Sequence, residues 1–493
     1  MRLRLVGHAH KYAVEQVMLT IFPEERPVYG EAFDADTLCA EVRLSHGTRY
    51  SMAVTEIMQA DTRFRGMARI TTPDQTDMRT YNRLIQKIIR LSFFRAGIKA
   101  TGKTPPWGAL TGIRPGKRAG IFLEAGKSPK QVQHILETEY HLDPTRAALC
   151  IDTAQAGLAV KASLDPRDIC LYIGIPFCPT RCAYCSFVSN DVHRSGHLIE
   201  PFLEALYQEI TATARVARDL GLRVVALYIG GGTPTTLTAT QLYTLTGALS
   251  KAFDLSHLRE YTVEAGRPDT VTLEKLQVLH TAGVTRISIN PQSMEDRVLE
   301  AIGRGHTSAD IIEAVSLVRS VGFPVLNMDL IAGLPADTQS GFARTLEQVL
   351  DFGADNITIH TLSRKKGTKI TLDQVQAPDA NTVGEMLGFA QSSFQNAGYV
   401  PYYLYLQKFT AGGFENVGWC KPQTESLYNI AIMEELCSIL SLGGGASTKL
   451  VAPKSGHIVR IFNAKYPYEY IAGIDKILAR KDEIQTFYTE EVF

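Results

Sequence analysis

Three cysteines crowd into eight residues of this chain: Cys178, Cys182 and Cys185. Thiolates are the usual ligands of iron–sulfur clusters, and three closely spaced thiolates on one loop can hold three irons of a [4Fe–4S] cube. The fourth iron then keeps an open coordination position, which makes a metal site catalytic rather than structural. The alternative is a zinc knuckle with His193 as the fourth ligand, although the C-x3-C-x2-C spacing differs from the paired C-x2-C spacing of zinc sites.

A glycine-rich turn follows the cysteines by about fifty residues. It reads Gly230-Gly231-Gly232-Thr233-Pro234-Thr235. Three glycines leave backbone N–H and C=O groups uncovered and permit the close approach of a ligand, while the proline restricts the exit from the turn. The sequence therefore predicts a ligand-binding turn, with an ordinary tight turn as the alternative.

Polar residues recur farther along the chain, each just after an apolar run: Glu264, Gln292, Arg304 and Asp329. A carboxylate at the end of a strand can accept hydrogen bonds from ribose hydroxyls, and an arginine can bind a carboxylate through two parallel hydrogen bonds. Taken singly, each residue could equally be a helix cap or part of a surface ion pair.

Six short apolar runs lie between residues 169 and 360 and alternate with amphipathic stretches. We predict strands at 169–175, 224–230, 261–264, 286–290, 325–331 and 356–360, and helices between them, such as 309–323. Regular β-α units indicate an α/β fold with a parallel sheet, which places ligands at the carboxyl ends of its strands. The cysteines, the glycine turn and the polar residues all fall at those ends.

The flanking regions have a different pattern. Residues 1–150 predict a small, basic α+β domain with a strand at 1–6, a hairpin turning at His46 and Gly47, and a helix at 81–94. Residues 165–370 form the predicted core. Residues 371–493 are mixed and predict a substrate-covering region, with an aromatic run at 399–409 and a helix at 424–440.

Composition excludes several classes of protein. The chain has 493 residues, of which 45% are hydrophobic and 21% charged, as in ordinary globular domains. We see neither an apolar run of about 18 residues nor a secretory leader, and eight cysteines are too few for a disulfide scaffold, so we expect a cytoplasmic protein.

Positive charge is concentrated in the first third of the chain. Residues 1–160 carry 22 basic and 16 acidic side chains, and the segment from Arg79 to Lys130 has 12 Lys and Arg against Glu124 alone. Such a segment attracts anions.

The cysteine spacing resembles the signature of the radical S-adenosylmethionine (SAM) enzymes. The wider pattern resembles the oxygen-independent coproporphyrinogen III oxidase (coproporphyrinogen dehydrogenase) family, in particular its HemZ-like branch. The matching positions are Tyr172, Cys178, Cys182, Cys185, Gly231, Gly232, Thr233, Glu264, Gln292, Arg304 and Asp329. The sequence departs from that pattern at Gly174, where the family has a histidine, and at Phe187, where its best-known members have a fourth cysteine.

The resemblance implies a partial (β/α)6 TIM-type barrel, a [4Fe–4S] cluster on the three cysteines and one or two SAM molecules. Tyr172, Gly231 and Glu264 resemble contacts to the cluster-bound SAM, and Tyr172 is expected to take part in catalysis. The resemblance assigns to the second SAM the residues Tyr184, Gly232, Thr233, Gln292, Arg304 and Asp329, with a backbone contact from Ser363. A low-potential electron donor such as flavodoxin or ferredoxin is implied as well.

The reaction implied by the resemblance is oxidative decarboxylation of coproporphyrinogen III to protoporphyrinogen IX in haem biosynthesis. This tetra-anionic substrate needs cations, for which Arg114, Lys117 and Arg118 are candidates, and an aromatic surface, for which Tyr402, Tyr403 and Tyr405 are candidates. A solvated helix face and a core strand are the alternatives. Related families suggest a haem-binding chaperone or methyl transfer with haem ring opening. We see no aromatic and basic signature of RNA binding, so a nucleic-acid partner is not expected.

Overall fold

The computed structural model describes residues 1–30, 38–72, 78–112, 114–187, 189–365, 368–373 and 375–493. The chain divides into two compact units, Met1–Ile151 and Asp152–Phe493. No helix in these described ranges is both long enough and apolar enough to cross a bilayer.

The first unit is built on one five-stranded sheet in the order β2-β1-β3-β4-β5. Its elements are β1 (Arg2–Val6), α1 (Lys11–Ile21), β2 (Val28–Tyr29), β3 (Cys39–His46), β4 (Tyr50–Gln59), β5 (Thr62–Thr71), α2 (Met78–Thr101), α3 (Gly116–Glu124), α4 (Pro129–Glu139) and α5 (Pro144–Ala162), which continues into the second unit. The first predicted strand and the hairpin between β3 and β4 are confirmed. The predicted helix is confirmed but longer, because its buried face continues past Phe94 to Ala96.

Helix α2 packs closely on the sheet. At Gly66 of β5, an added Cβ would lie 2.1 Å from the carbonyl oxygen of Ser92 and 2.4 Å from the amide of Ala96, so only glycine fits there. Beside it, the hydroxyls of Thr55 and Ser92 share a buried hydrogen bond of 2.8 Å. The core of this unit lies between the sheet and the two helices α1 and α2.

The second unit alternates strands and helices, continues into further strands and ends in helices. Its strands are β6 (Asp168–Ile175), β7 (Phe177–Cys178), β8 (Asn190–Asp191), β9 (Arg223–Gly231), β10 (Glu260–Glu264), β11 (Arg286–Ser288), β12 (Val325–Ala332), β13 (Asn356–Thr361), β14 (Val400–Leu406), β15 (Glu415–Cys420), β16 (Ser438–Gly443), β17 (Ser447–Val451) and β18 (Ile458–Phe462). Its helices are α6 (Val192–Ser195), α7 (Ile199–Asp219), α8 (Ala239–Ala252), α9 (Leu273–Thr281), α10 (Asp296–Ala301), α11 (Ser308–Val321), α12 (Gln339–Asp351), α13 (Lys369–Leu372), α14 (Ala380–Asn396), α15 (Leu427–Glu434), α16 (Pro467–Ala472), α17 (Ile474–Ala479) and α18 (Asp482–Glu491).

Eleven of these strands form one open sheet in the order β14-β15-β13-β12-β11-β10-β9-β6-β16-β17-β18. All six predicted strands are confirmed as β6, β9, β10, β11, β12 and β13, which are neighbours and parallel. Helix α11 is also confirmed, and it ends where Gly322 adopts a left-handed conformation with φ of 86°. The carboxyl ends of six parallel strands therefore meet at one edge of the sheet.

The helix predicted at 424–440 is partly wrong. Helix α15 ends at Glu434, the next residue is left-handed with φ of 56°, and Ser438–Gly443 forms β16 instead. Strand β16 pairs in parallel with β6 and is buried throughout. A fully buried strand reads as a continuous apolar run, which periodicity alone cannot distinguish from the end of a buried helix.

Candidate active site

A cavity of about 260 Å³ lies at the carboxyl ends of the parallel strands. The predicted site residues in its wall are Cys178, Cys182, Tyr184, Cys185, Gly231, Gly232, Thr233, Glu264, Gln292, Arg304, Asp329 and Ser363. They come from the loop after β6, the ends of β9 and β10, the segments that follow β11 and α10, strand β12 and the segment after β13. Residues up to 185 positions apart in sequence thus share one wall.

The cysteine loop is held in place by backbone hydrogen bonds to two remote segments and by one within the loop. The amide of Ala183 donates to the carbonyl of Ile302 at 2.9 Å, and its carbonyl accepts from Ile370 at 3.2 Å. Within the loop, the amide of Cys185 donates to the carbonyl of Cys182 at 3.1 Å. The loop that carries the thiols is therefore fixed by elements remote in sequence.

The donors around the sulfurs suit thiolate ligands. The hydroxyl of Thr233 donates to Sγ of Cys178 at 3.4 Å, and Nη1 of Arg267 donates to Sγ of Cys182 at 3.8 Å. Burial raises the pKa of the Cys178 and Cys185 thiols, so both hold their protons in the absence of a metal, and a cluster binds by displacing those protons. These three cysteines could hold an iron–sulfur cluster.

The arrangement of possible metal ligands bears on the kind of metal centre that the cysteine loop could form. Within the described residues, no three His, Cys, Asp or Glu side chains are arranged to hold one metal ion. An iron–sulfur cube takes one thiolate per iron, so its three sulfurs do not have to converge on one point.

The glycine turn packs directly against the entry to the cysteine loop. The amide of Gly232 donates to the carbonyl of Ile175, and that of Thr233 donates to the carbonyl of Phe177, both at 2.7 Å. An added Cβ at Gly232 would lie 2.5 Å from the carbonyl oxygen of Phe177 and 3.0 Å from Sγ of Cys178. Gly231 has φ of 113°, a conformation that favours glycine. The glycines thus let two site segments touch.

Glu264 ends β10 and faces the cavity. The hydroxyl of Tyr228 donates a hydrogen bond to its carboxylate. Burial raises the pKa of Glu264 to about 7, and the nearby charge of Asp329 acts in the same direction. The carboxyl group is therefore poised to change charge near neutral pH.

Arg304 and Gln292 also line the wall. Arg304 donates to the carbonyl of Asn290 at 2.8 Å, to that of Gly266 at 3.2 Å and to the hydroxyl of Tyr184 at 3.0 Å. Gln292 has φ of 67°, a strained conformation for a residue with a side chain. The side-chain oxygens of Asn290 and Gln292 are buried without a hydrogen-bond donor in the described part of the chain. Such acceptors are available to a polar ligand like SAM.

Several cavity residues were missed by the sequence analysis. His360, at the end of β13, has Nδ1 3.2 Å from the hydroxyl of Tyr405 and Nε2 3.8 Å from the carboxylate of Asp329. Gln407 also donates to the Tyr405 hydroxyl, at 3.1 Å. Arg267, on the loop after β10, lines the wall as well. The position of His360 at a strand end is the same signal that singled out Glu264.

Other predicted residues lie outside the cavity wall. Tyr172 stacks on Tyr228 and Tyr428 with ring centroids 6.1 and 6.2 Å away, and it is not among the lining residues. Tyr402 and Tyr403 are core residues of β14, which agrees with the alternative of a core strand for the aromatic run. Tyr405 instead lines the cavity.

The basic segment belongs to the first unit and includes α3, on which Lys117 and Arg118 lie. The guanidinium of Arg118 lies 5.8 Å from the ring centroid of Tyr140. The side chain of Arg79, at the start of the segment, is outside the described residues. A role for the segment in substrate binding stays a prediction.

Comparison with known proteins agrees with this geometry. Residues 172–349 match the Radical SAM superfamily. The oxygen-independent coproporphyrinogen-III oxidase-like protein HemZ of Bacillus subtilis is 37% identical over 429 residues, which cover 86% of this chain and 84% of HemZ. The heme chaperone HemW of the same organism is 35% identical over 192 residues, covering 39% of this chain and 49% of HemW.

The solved structure of coproporphyrinogen III oxidase (HemN) from Escherichia coli has a TM-score of 0.52 and 23% identity, covering 68% of this chain and 78% of that protein. The predicted radical SAM fold with a partial barrel is thereby confirmed, and its sheet is open. A [4Fe–4S] cluster and SAM follow as the cofactors. The chain belongs to the radical SAM superfamily and, within it, to the family of the oxygen-independent coproporphyrinogen-III oxidase-like protein HemZ.

Proposed function

We propose that this protein oxidatively decarboxylates two propionate side chains of coproporphyrinogen III to vinyl groups, giving protoporphyrinogen IX. The observation that carries the proposal is the single cavity that unites the three cysteines, the glycine turn and the polar residues at the strand ends. The similarity to HemZ over most of both chains supports the choice of a tetrapyrrole substrate.

In this proposal Cys178, Cys182 and Cys185 hold the cluster. When bound, the cluster and SAM supply a 5′-deoxyadenosyl radical that can remove a hydrogen atom from an unactivated carbon. On conversion to a vinyl group, each propionate gives one hydrogen atom to the radical, releases CO2 and passes one electron to an external one-electron acceptor. The protein's task is to orient the substrate carbon and to exclude water.

The assignment of side chains to SAM follows the family. Tyr172, Gly231 and Glu264 are proposed to serve the cluster-bound SAM. Tyr172 can act through the ring of Tyr228, which hydrogen-bonds Glu264 in the cavity wall. The proposed contacts to a second SAM are Tyr184, Gly232, Thr233, Gln292, Arg304, Asp329 and the backbone of Ser363. The unsatisfied oxygens of Asn290 and Gln292 support a polar ligand on that side.

The wall also carries groups that suit an anionic tetrapyrrole with a broad apolar body. The side chain of Phe187 is 70% exposed although it lines the cavity. Ser186 precedes Phe187 in the chain, and its hydroxyl lies 3.4 Å from the ammonium of Lys365, which can pair with a propionate.

We propose that the electron for the cluster comes from a flavodoxin or ferredoxin.

An anaerobic turnover assay tests the function. Reconstituted full-length protein, dithionite, SAM and coproporphyrinogen III should yield CO2 and a divinyl product, identified by mass spectrometry after oxidation to the porphyrin. The Cys182→Ala variant serves as the control without an intact cluster. If 5′-deoxyadenosine forms but the four propionates remain, the proposed substrate is wrong.

A haem-binding chaperone is the second candidate, favoured by the similarity to HemW and by Phe187 in place of the fourth cysteine. The same preparation separates the two. A chaperone should bind haem at one equivalent per chain, detected by its Soret band, and release no vinyl product.

A further inference from the structure

Arg267 places a buried positive charge on one particular cysteine of the cluster loop. Its side chain is about 4% exposed, and Nη1 lies 3.8 Å from Sγ of Cys182. The same nitrogen donates to the hydroxyl of Thr180 at 3.1 Å and to its carbonyl at 3.3 Å. Arg267 lies outside the C-x3-C-x2-C motif in sequence, and its guanidinium contacts the cysteine loop in the fold.

Asp269 fixes the guanidinium in this orientation. Its carboxylate accepts from Nε of Arg267 at 3.0 Å and from Nη2 at 2.9 Å, a two-bond pairing that lysine could not reproduce. Burial alone would raise the pKa of Asp269, but the nearby His306 ring, 3.6 Å away, and the two hydrogen bonds from Arg267 hold that pKa well below its usual range. The pair is therefore an oriented dipole with its positive end at Cys182.

The sulfurs do not receive equivalent hydrogen bonds. Cys178 accepts from the neutral hydroxyl of Thr233 at 3.4 Å, whereas Cys182 faces a charged donor. Charge-assisted hydrogen bonds are roughly twice as strong as neutral ones, and arginine stays protonated at every relevant pH. Hydrogen bonds to the sulfurs are among the factors that set the reduction potential of an iron–sulfur cluster.

We propose that Arg267, oriented by Asp269, is a positioning residue that raises the reduction potential of the cluster through its contact with Cys182. Reduction adds one negative charge, part of which resides on the sulfurs, so a nearby guanidinium stabilises the reduced form more than the oxidised form. The inference depends on the cluster and not on the choice of tetrapyrrole substrate.

The sign of the effect distinguishes this role from simple support of the loop. Arg267→Gln removes the positive end of the dipole and leaves the Asp269 carboxylate, so the midpoint potential should fall. A tenfold change in the reduced-to-oxidised ratio corresponds to about 59 mV for one electron, and we expect at least that. Asp269→Asn keeps the guanidinium and removes its counter-charge, so the midpoint should rise.

The measurement is a potentiometric titration of the reconstituted full-length protein without SAM, followed by the EPR signal of the reduced cluster, with iron content determined for each sample. Arg267→Lys keeps the charge and should give a midpoint between wild type and Arg267→Gln. Arg297→Gln is the matched control, because Arg297 is exposed and its ion pair with Glu295 lies outside the cavity wall. It should not move the midpoint.

Opposite shifts in Arg267→Gln and Asp269→Asn would support the proposal. Shifts of the same sign in both variants would overturn it. It would also be overturned if iron were lost while the remaining cluster kept the wild-type midpoint, because the pair would then only support the loop.

Discussion

Glu264 makes the stability of the protein depend on pH. Its pKa is raised to about 7 in the folded state by burial, against an ordinary value of 4.5. Between these values the folded protein keeps a proton that the unfolded chain has lost, so the free energy of unfolding falls as the pH rises from about 4.5 to 7. The raised pKa of Glu264 contributes at most about 3 kcal/mol to the free energy of unfolding at low pH, and this contribution is lost in full above pH 7.

The Glu264→Gln variant should lack this loss. We expect its free energy of unfolding, measured by urea denaturation without SAM, to increase relative to that of the wild type as the pH rises from 5 to 8. Glu274→Gln, which removes an exposed carboxylate of α9, is the control for the change in net charge. A constant difference between Glu264→Gln and wild type across this range would contradict the expectation.

Cys182 should be indispensable for the cluster. Because each thiolate of the loop is expected to hold one iron, Cys182→Ala should lose most of the bound iron and of the broad absorption near 400 nm after anaerobic reconstitution. Cys420→Ala removes a fully buried thiol of β15 and costs packing instead, so it should keep the iron. A full iron–sulfur spectrum in Cys182→Ala would refute the assignment.

At the scale of residues, the sequence was informative where motifs are local. Cys178, Cys182 and Cys185 lie close together in the chain, and all of them line the cavity. Arg267 and His360 were missed, because each acquires its role only from partners brought near by folding. Arg267 meets Cys182, 85 positions away, and His360 meets Tyr405, 45 positions away.

The glycine turn is the element on which the cysteine loop depends. In Gly232→Ala, the new Cβ would lie 2.5 Å from a backbone oxygen that cannot move independently. We expect a loss of about 1 to 3 kcal/mol in the free energy of unfolding and a lower iron content. Thermal denaturation and iron analysis of the same preparation measure both effects.

Gly247 provides the matched control for that substitution. It lies inside α8, and an added Cβ would meet nothing within 4 Å. Gly247→Ala should stabilise the protein by about 0.5 to 1 kcal/mol, since alanine favours the helix, and leave the iron content unchanged. Equal destabilisation by both substitutions would show that the close contact at Gly232 has no special effect.

The elements could be predicted where their apolar patterns were distinctive. The runs that became β6, β9 and β12 are short, apolar and separated by amphipathic stretches, so their type was clear. The sequence pattern predicts helix over β16, because this strand is buried throughout and follows α15 after only three residues. Its identity comes from pairing with β6, a contact that no local pattern encodes.

Across the whole molecule, charge is unevenly distributed. Residues 1–160 have a net charge of +6 and the remainder a net charge of −6, although the chain is neutral overall. A concentration of positive charge raises the local concentration of anions and speeds their binding, and both effects weaken as salt is added. If the basic segment contributes to binding a tetra-anionic tetrapyrrole, affinity should depend on salt and on particular cations within it.

Reversing three charges of that segment tests this dependence. The triple variant Arg114→Glu, Lys117→Glu and Arg118→Glu should bind coproporphyrin III, a stable probe with the same four carboxylates, at least tenfold more weakly at low salt, with the difference shrinking as salt rises. Fluorescence titration measures the affinity, and thermal unfolding checks that the fold is kept. The control reverses three exposed arginines of β5: Arg63, Arg65 and Arg69. Because both variants change the net charge equally, an equal loss in both would assign the effect to overall charge, and unchanged affinity in both would leave the basic segment as a solvated helix face.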